Sequence, residues 1–323
     1  MNNTNRLTIP AAEEILGRYF PVLDYGFVAL VDYMGGDAAI EQATRVAYGH
    51  GTRKVSETRG LLRYLHRHKH TSPNEMVELK FHCSMPIFVA RQWIRHRTAN
   101  VNEMSGRYSL MPMLFYTPSE DQMRAQSKAN KQGRGDEIAT QDKKVALSLW
   151  ARQRREAVSA YEWLGIHDFA RELARIDLPL STYTQWYWKI DLHNLLHFLT
   201  LRVDAHTQWE IQQFGKIMAG MLKRVAPLSY EAWIDYEVCG ARLSRMELNL
   251  IRALRNVGYE TLLADFVGEK DPPEGMTPRE FEEFTALFVD EPIPDFELDL
   301  TTAKPASLFE EQAAAAVPGV KKP

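Results

Sequence analysis

Apolar positions along this chain fall into two rhythms. Tyr25–Tyr33, YGFVALVDY, is a near-continuous apolar run closed by Gly35 and Gly36. Glu75–Ser84, EMVELKFHCS, alternates through Met76, Val77, Leu79, Phe81 and Cys83. Both read as strands, and so does the aromatic-rich Thr182–Ile190, TYTQWYWKI. Helical spacing appears over Asp37–Tyr48, with Asp37 at its cap, and over Ser56–His68, with Leu61, Leu62 and Leu65 inward. It returns over Asp142–Leu164, Asp168–Arg175, Thr207–Val225 and Ser229–Tyr236. Asp191–Val203 sets Leu192, Leu195, Leu196 and Leu199 on one face. Further helices are expected over Ser119–Ala129 and Thr277–Phe288, and an exposed loop over Lys131–Asp136. His70–Pro73 reads as a turn, because the residue before proline avoids the helical region. The sum is an α+β fold.

One stretch concentrates chemistry. Pro86–Ser109 reads PIFVARQWIRHRTANVNEMSGRYS. Pro86 suits a first helical position, and Ile87, Ala90, Trp93 and Ile94 make an apolar stripe. The spacing predicts a helix to Arg97 with Arg91, Gln92 and Arg95 on its other side. An extended loop follows from Asn100, carrying Glu103, Ser105, Gly106 and Arg107. Arginines give bidentate contacts to phosphate, and Ser-Gly lets backbone N–H groups approach an anion. The same spacing also fits a solvated basic helix end.

Composition narrows the class. The chain has 323 residues and 25% charged residues, ordinary for a globular protein with a sizeable core. From Val257 onward 15 acidic residues face 5 basic ones, a balance of −10. The remainder is therefore +7 within a total of −3, and a basic body suits nucleotide-like polyanions. Cys83 and Cys239 make no disulfide framework. No apolar run approaches a membrane span and no signal pattern opens the chain, so a cytoplasmic protein is expected.

Other constellations carry less. His193 and His197 lie four apart, and Thr200 and Asp204 share their face. Such a pair could hold a metal, but Asn194 stands where a metalloprotease needs glutamate and no third ligand is evident. Arg175, in LARIDLP, and Arg202, in LRVDAHTQWEIQQF, read alone as surface arginines. The stretch 53–70 carries Arg53, Lys54, Arg59, Arg63, Arg67 and Lys69 among three histidines. It reads as a solvated helix face. With residues 91–107 it also supports a nucleic-acid-binding module, the main non-enzyme alternative; a His/Asp metal hydrolase is the third.

The RHR run at Arg95–Arg97, followed by Ser105 and GRYS, resembles the signature of the flavin-dependent thymidylate synthases. The resemblance extends through GFVALVDYMGGD (26–37), HTSPNE (70–75), ARIDLP (174–179) and LRVDAHTQWEIQQF (201–214). It implies a mostly antiparallel sheet packed with helices in a single large domain over residues 23–256. On local pattern and composition, residues 1–22 read as a loose leader with one short helix, and 257–323 as an acidic, partly disordered extension. The resemblance implies FAD as bound cofactor, dUMP as substrate, methylenetetrahydrofolate and NADPH as co-substrates, a homotetramer, and no metal, nucleic acid or membrane partner. By the same resemblance Gln92, Trp93, Ile94, Arg95, Glu103, Met104, Ser105, Gly106, Arg107, Arg175 and Arg202 correspond to dUMP contacts. Ser72, Arg95, His96, Arg97, Glu103, Asp191, Leu192, His193 and His197 correspond to FAD contacts. Arg202 corresponds to the arginine against the uracil ring, in a reaction without a cysteine nucleophile. Four positions depart from the family pattern: Ala47, Asn100, Asp191 and His193.

Overall fold

The computed structural model describes residues 7–46, 58–128, 133–255, 278–287 and 292–316. Ala47, Tyr48 and Ser56, and the last seven residues, lie outside the described set. Two compact units emerge, one of Met1–Ala232 with Phe296–Pro323 and one of Trp233–Asp295.

The first unit is built on an antiparallel sheet in the order β1-β2-β3-β7-β4. Its strands are β1 (Tyr19–Val22), β2 (Gly26–Met34), β3 (Glu78–Pro86), β4 (Asn100–Glu103) and β7 (Tyr183–Asp191). A hairpin of β5 (Arg124–Gln126) and β6 (Arg134–Glu137) forms a second, two-stranded sheet. The helices are α1 (Pro10–Glu13), α2 (Asp37–Val46), α3 (Thr58–Arg67), α4 (Ile87–Trp93), α5 (Thr140–Ile166) and α6 (Arg171–Ala174). They continue with α7 (Leu192–Val203), α8 (Trp209–Val225) and α9 (Pro227–Trp233). The second unit holds α10 (Arg245–Arg255) and α11 (Pro278–Ala286), with Phe281 and Phe284 buried. Among the described residues the last helix, α12 (Ala306–Ala315), belongs to the first unit.

Four expectations need correction. The helix from Pro86 stops at Trp93, because the chain must leave it to run β4 beside β7. The loop expected from Asn100 is that strand, pairing from Asn100 opposite Lys189 to Glu103 opposite Trp186. Ser119–Ala129 holds only a short turn, Glu120–Gln122, before β5, whose Arg124 and Gln126 pair with Glu137 and Arg134. Described residues near both ends, 7–22 and 292–316, are also part of the fold. The short helix expected before residue 22 is α1, but it is followed by the paired strand β1, with Ala12 and Ile15 fully buried, and residues 306–315 form α12. In both cases partners remote in sequence decide the structure.

Trp93 is the centre of the core. Its ring lies 5.5 Å from Trp186, 5.3 Å from Trp188, 5.0 Å from Phe198 and 5.7 Å from Phe214, centroid to centroid. These edge and offset arrangements join α4 to β7, α7 and α8. The α7 stripe behaves as its spacing predicts, with Leu192, Leu195, Leu196 and Leu199 buried. Asp191 caps this helix by accepting from the Asn194 N–H at 3.0 Å and its Nδ2 at 2.7 Å. Removing the central ring by Trp93→Ala should cost about 3–5 kcal/mol of stability. Urea unfolding checks this, and a loss below about 1 kcal/mol would contradict the central role of Trp93.

Candidate active site

The end of α4 and the last turn of α7 meet over the aromatic core. His96 sits just past α4, edge-on to Phe198 at 4.9 Å. Arg202 reaches it from α7. Its Nε donates to His96 Nε2 at 3.1 Å, and its Nη2 lies 2.9 Å from the same nitrogen. A guanidinium can only donate, so His96 must accept with an unprotonated Nε2. Burial pushes His96 down to about 4, with Arg202 and His197 adding to the effect. Burial also lowers Arg202 from its ordinary value. Packing permits the arrangement through Gly215 of α8, where a Cβ would stand 3.2 Å from Arg202 Cβ and 3.3 Å from its backbone.

A cavity of about 410 Å³ opens here, lined by Arg95, His96, Arg97, Asn194, His197 and Arg202. The His197 ring lies 6.0 Å from that of His96. On α4, Gln92 has a buried Oε1 with no hydrogen-bond partner among the described residues. Ser72 opens the turn Ser72–Met76, and the next residue after that turn, Val77, accepts from the Leu192 N–H at 2.8 Å. On α3, His66 is buried, its Nε2 has no hydrogen-bond partner among the described residues, and its pKa falls to about 4 through burial, then Lys69 and His193.

The Ser105–Arg107 turn forms a second cluster. Arg107 N–H donates to Ser105 Oγ at 3.3 Å, and the N–H groups of Tyr108 and Ser109 both donate to Ser105 O at 3.1 Å. A Cβ on Gly106 would fall 2.6 Å from Met111 Sδ and 3.1 Å from Arg175 Cδ, so the glycine lets Arg175 lie against the turn. Arg171 donates to the Tyr108 carbonyl. On β4, Glu103 accepts from Thr184 Oγ1 at 2.7 Å.

The structure therefore brings Arg95, His96, Arg97, His197 and Arg202 together, and Ser105, Gly106, Arg107 and Arg175 together. It does not bring every expected side chain to a cavity. Trp93 and Leu192 are fully buried in the core, Ile94 is exposed, and Asp191 is engaged in capping α7. His66, Thr184 and Gly215 carried no sequence signal, since each acts through packing between remote elements. Two cations of the basic stretch are committed elsewhere. Arg59 Nε donates to Glu231 at 3.0 Å and Arg63 Nη1 at 2.9 Å. Among the described residues no three His, Cys, Asp or Glu groups converge as metal ligands, and no helix is long and apolar enough to cross a membrane.

The donor set has a chemical sense. Guanidiniums and imidazoles lining one cavity suit a ligand with phosphates and ring carbonyls, and a flavin dinucleotide fits that description. Fold and site define an α+β enzyme built to hold nucleotide-like anions. Residues 29–228 match the family model described as thymidylate synthase complementing protein. The chain is 47% identical over 287 residues to a flavin-dependent thymidylate synthase of Gluconobacter oxydans (strain 621H), covering 88% of this chain and 92% of that protein. It is 49% identical over 274 residues to the one of Wolbachia pipientis wMel, covering 85% and 96%. A crystal structure of a UMP/dUMP methylase PolB from Streptomyces cacaoi bound with 5-Br dUMP aligns with TM-score 0.61 and 32% identity, over 67% of this chain and 97% of that one. This chain belongs to the flavin-dependent thymidylate synthase family.

His66 and His96, both pushed down to about 4, set a pH dependence. Each sits at about 4 in the fold against about 6.5 unfolded, so the unfolded chain binds more protons between those values. Their contribution is fully present above about pH 6.5 and is lost as pH falls towards 4. The urea midpoint should therefore drop between pH 7 and pH 5, and His66→Leu should shrink that drop. An identical drop in the variant would contradict a neutral buried His66.

Proposed function

We propose that this enzyme methylates dUMP to dTMP, with methylenetetrahydrofolate as one-carbon donor and NADPH as reductant through bound FAD. The observation that carries the reading is the Arg202 guanidinium fixed on neutral His96 at the wall of a cationic cavity. Uracil C5 is a poor nucleophile, and the ring must be polarised or ionised before it attacks. His96 engages Nε and Nη2 of Arg202, leaving its other N–H groups for a ligand. An arginine against N3 and O4 would stabilise the negative charge that builds on the ring. Its own desolvation strengthens that interaction, since a poorly hydrated cation gains more from an anionic partner.

Ser105, Gly106, Arg107 and Arg175 would hold the nucleotide phosphate and sugar, and Gln92 and Glu103 the base. The α4–β4 backbone through Trp93, Ile94 and Met104 frames that site. Arg95, His96, Arg97, His193 and His197, with Ser72, would hold FAD. Hydride transfer is the chemistry a bound flavin supplies. Cys83 cannot serve as a nucleophile in this scheme: it is fully buried, and burial raises its thiol well above the ordinary value. Assembly as a homotetramer belongs to the same proposal, and exposed Leu149, Trp163 and Ile166 along α5 support it.

Arg202→Lys keeps the charge and loses the planar fork. Formation of dTMP should fall at least about 100-fold, while the variant still takes up FAD and oxidises NADPH. Near-normal turnover would remove Arg202 from the reaction. A folded protein that stays colourless after incubation with FAD would remove the flavin.

A further inference from the structure

Residues 296–316, beyond the 29–228 family match, run from α8 and α9 past the edge strand β1, and α12 lies on the sheet face opposite the aromatic core. This segment is fastened along its length. Phe296 N–H donates to Tyr230 Oη at 3.0 Å. Lys304 pairs with Tyr19 of β1 in both directions, at 3.1 and 2.7 Å. Met113 N–H donates to Ala316 O at 2.9 Å. Phe309 packs 4.8 Å from Phe27 and 6.0 Å from Tyr19. Ala306, Phe309, Glu310 and Ala313 present one face of α12 to a cavity of about 370 Å³ above the sheet.

Beneath that helix a line of hydrogen bonds crosses three strands. Tyr19 Oη bonds His82 Nδ1 at 3.0 Å, and His82 Nε2 bonds Gln185 Oε1 at 3.0 Å. Gln185 Nε2 then donates to Met104 Sδ at 3.8 Å, and the Met104 N–H donates to the Gln185 carbonyl at 2.9 Å. One proton arrangement satisfies every link, with the tyrosine hydroxyl donating to a neutral imidazole that donates onward to the amide. His82 is also stacked on Tyr187 at 4.6 Å and 8°, which fixes its ring. The line ends at Met104, the residue before Ser105, Gly106 and Arg107.

We propose that Gln185, backed by His82, Tyr19 and the carboxy-terminal helix, is a positioning residue for the substrate loop. It anchors Met104 by side chain and backbone, and so sets where the Ser105–Arg107 turn stands relative to Arg175. Nothing in this line touches the cationic cavity at His96 and Arg202. The inference rests on the reading of Ser105–Arg107 as the phosphate-binding turn.

The test is dUMP affinity by titration into the full-length, FAD-loaded protein, with flavin content measured alongside. Gln185→Leu should weaken dUMP binding about tenfold, the scale of one hydrogen bond, with flavin content unchanged. The double variant Gln185→Leu with His82→Phe should be no worse than the worse single variant, since both break one line. Tyr19→Phe removes one hydroxyl and no packing, and should weaken binding about threefold even if Gln185→Leu fails to fold. Unchanged affinity in Gln185→Leu and Tyr19→Phe, or fully additive effects in the double variant, would overturn the proposal. Arg107→Ala separates the two readings. If it weakens dUMP while Gln185→Leu does not, only the positioning role fails. If Arg107→Ala changes nothing, the turn is not the phosphate site and both readings fall.

Discussion

A half-buried guanidinium needs an acceptor, and in this enzyme the acceptor is a neutral imidazole. Arg202 comes from the last turn of α7 and His96 from the segment just past α4, and neither could hold its state alone. If His96 were protonated, it would present a second cation to Arg202 in a place with little water. Burial against the Phe198 ring, with Arg202 and His197 beside it, pushes His96 down to about 4. The reading of the reaction depends on this arrangement, because a fixed, poorly solvated cation is what a weakly nucleophilic pyrimidine needs. Below the Arg202–His96 pair, Trp93 packs against Trp186, Trp188 and Phe214 and so joins α4 to β7 and α8.

Much of this was legible in the sequence, and the reasons are physical. The α7 stripe of leucines, the β2 run and the β3 alternation follow from periodicity that tertiary structure reinforces. The RHR run and the Ser-Gly-Arg turn announced themselves by density of chemistry in a short stretch. By contrast, β4 is Asn-Val-Asn-Glu, an exposed edge with neither apolar alternation nor strand propensity, and only its pairing with β7 makes it a strand. The role of Gly215 is invisible without Arg202 against it. His66 reads as one more basic residue in a basic stretch, and its burial appears only when α3 is packed.

The chain ends teach the same lesson at longer range. β1 and α12 belong to the fold because they meet each other, through Phe309 of α12 on Tyr19 and through the Tyr19–Lys304 bridge just before that helix, and a local reading assigns each to a loose terminus. Acidic, proline-punctuated composition describes the segment as a whole, yet Leu298 and Phe309 within it are buried. A few apolar anchors suffice to order a polar segment when a sheet face is available to receive them.

The central claim is that an arginine and a flavin, without a thiolate, activate the pyrimidine. Tritium release from dUMP labelled at C5 reports that activation directly. The measurement is made on Cys83→Ala with Cys239→Ser, which leaves the chain without cysteine, supplied with FAD, NADPH and methylenetetrahydrofolate. The account predicts that the folded, yellow double variant keeps most of its release, with about 1–2 kcal/mol of stability lost at the buried Cys83 site. Abolished release from such a protein would mean that a cysteine carries the chemistry.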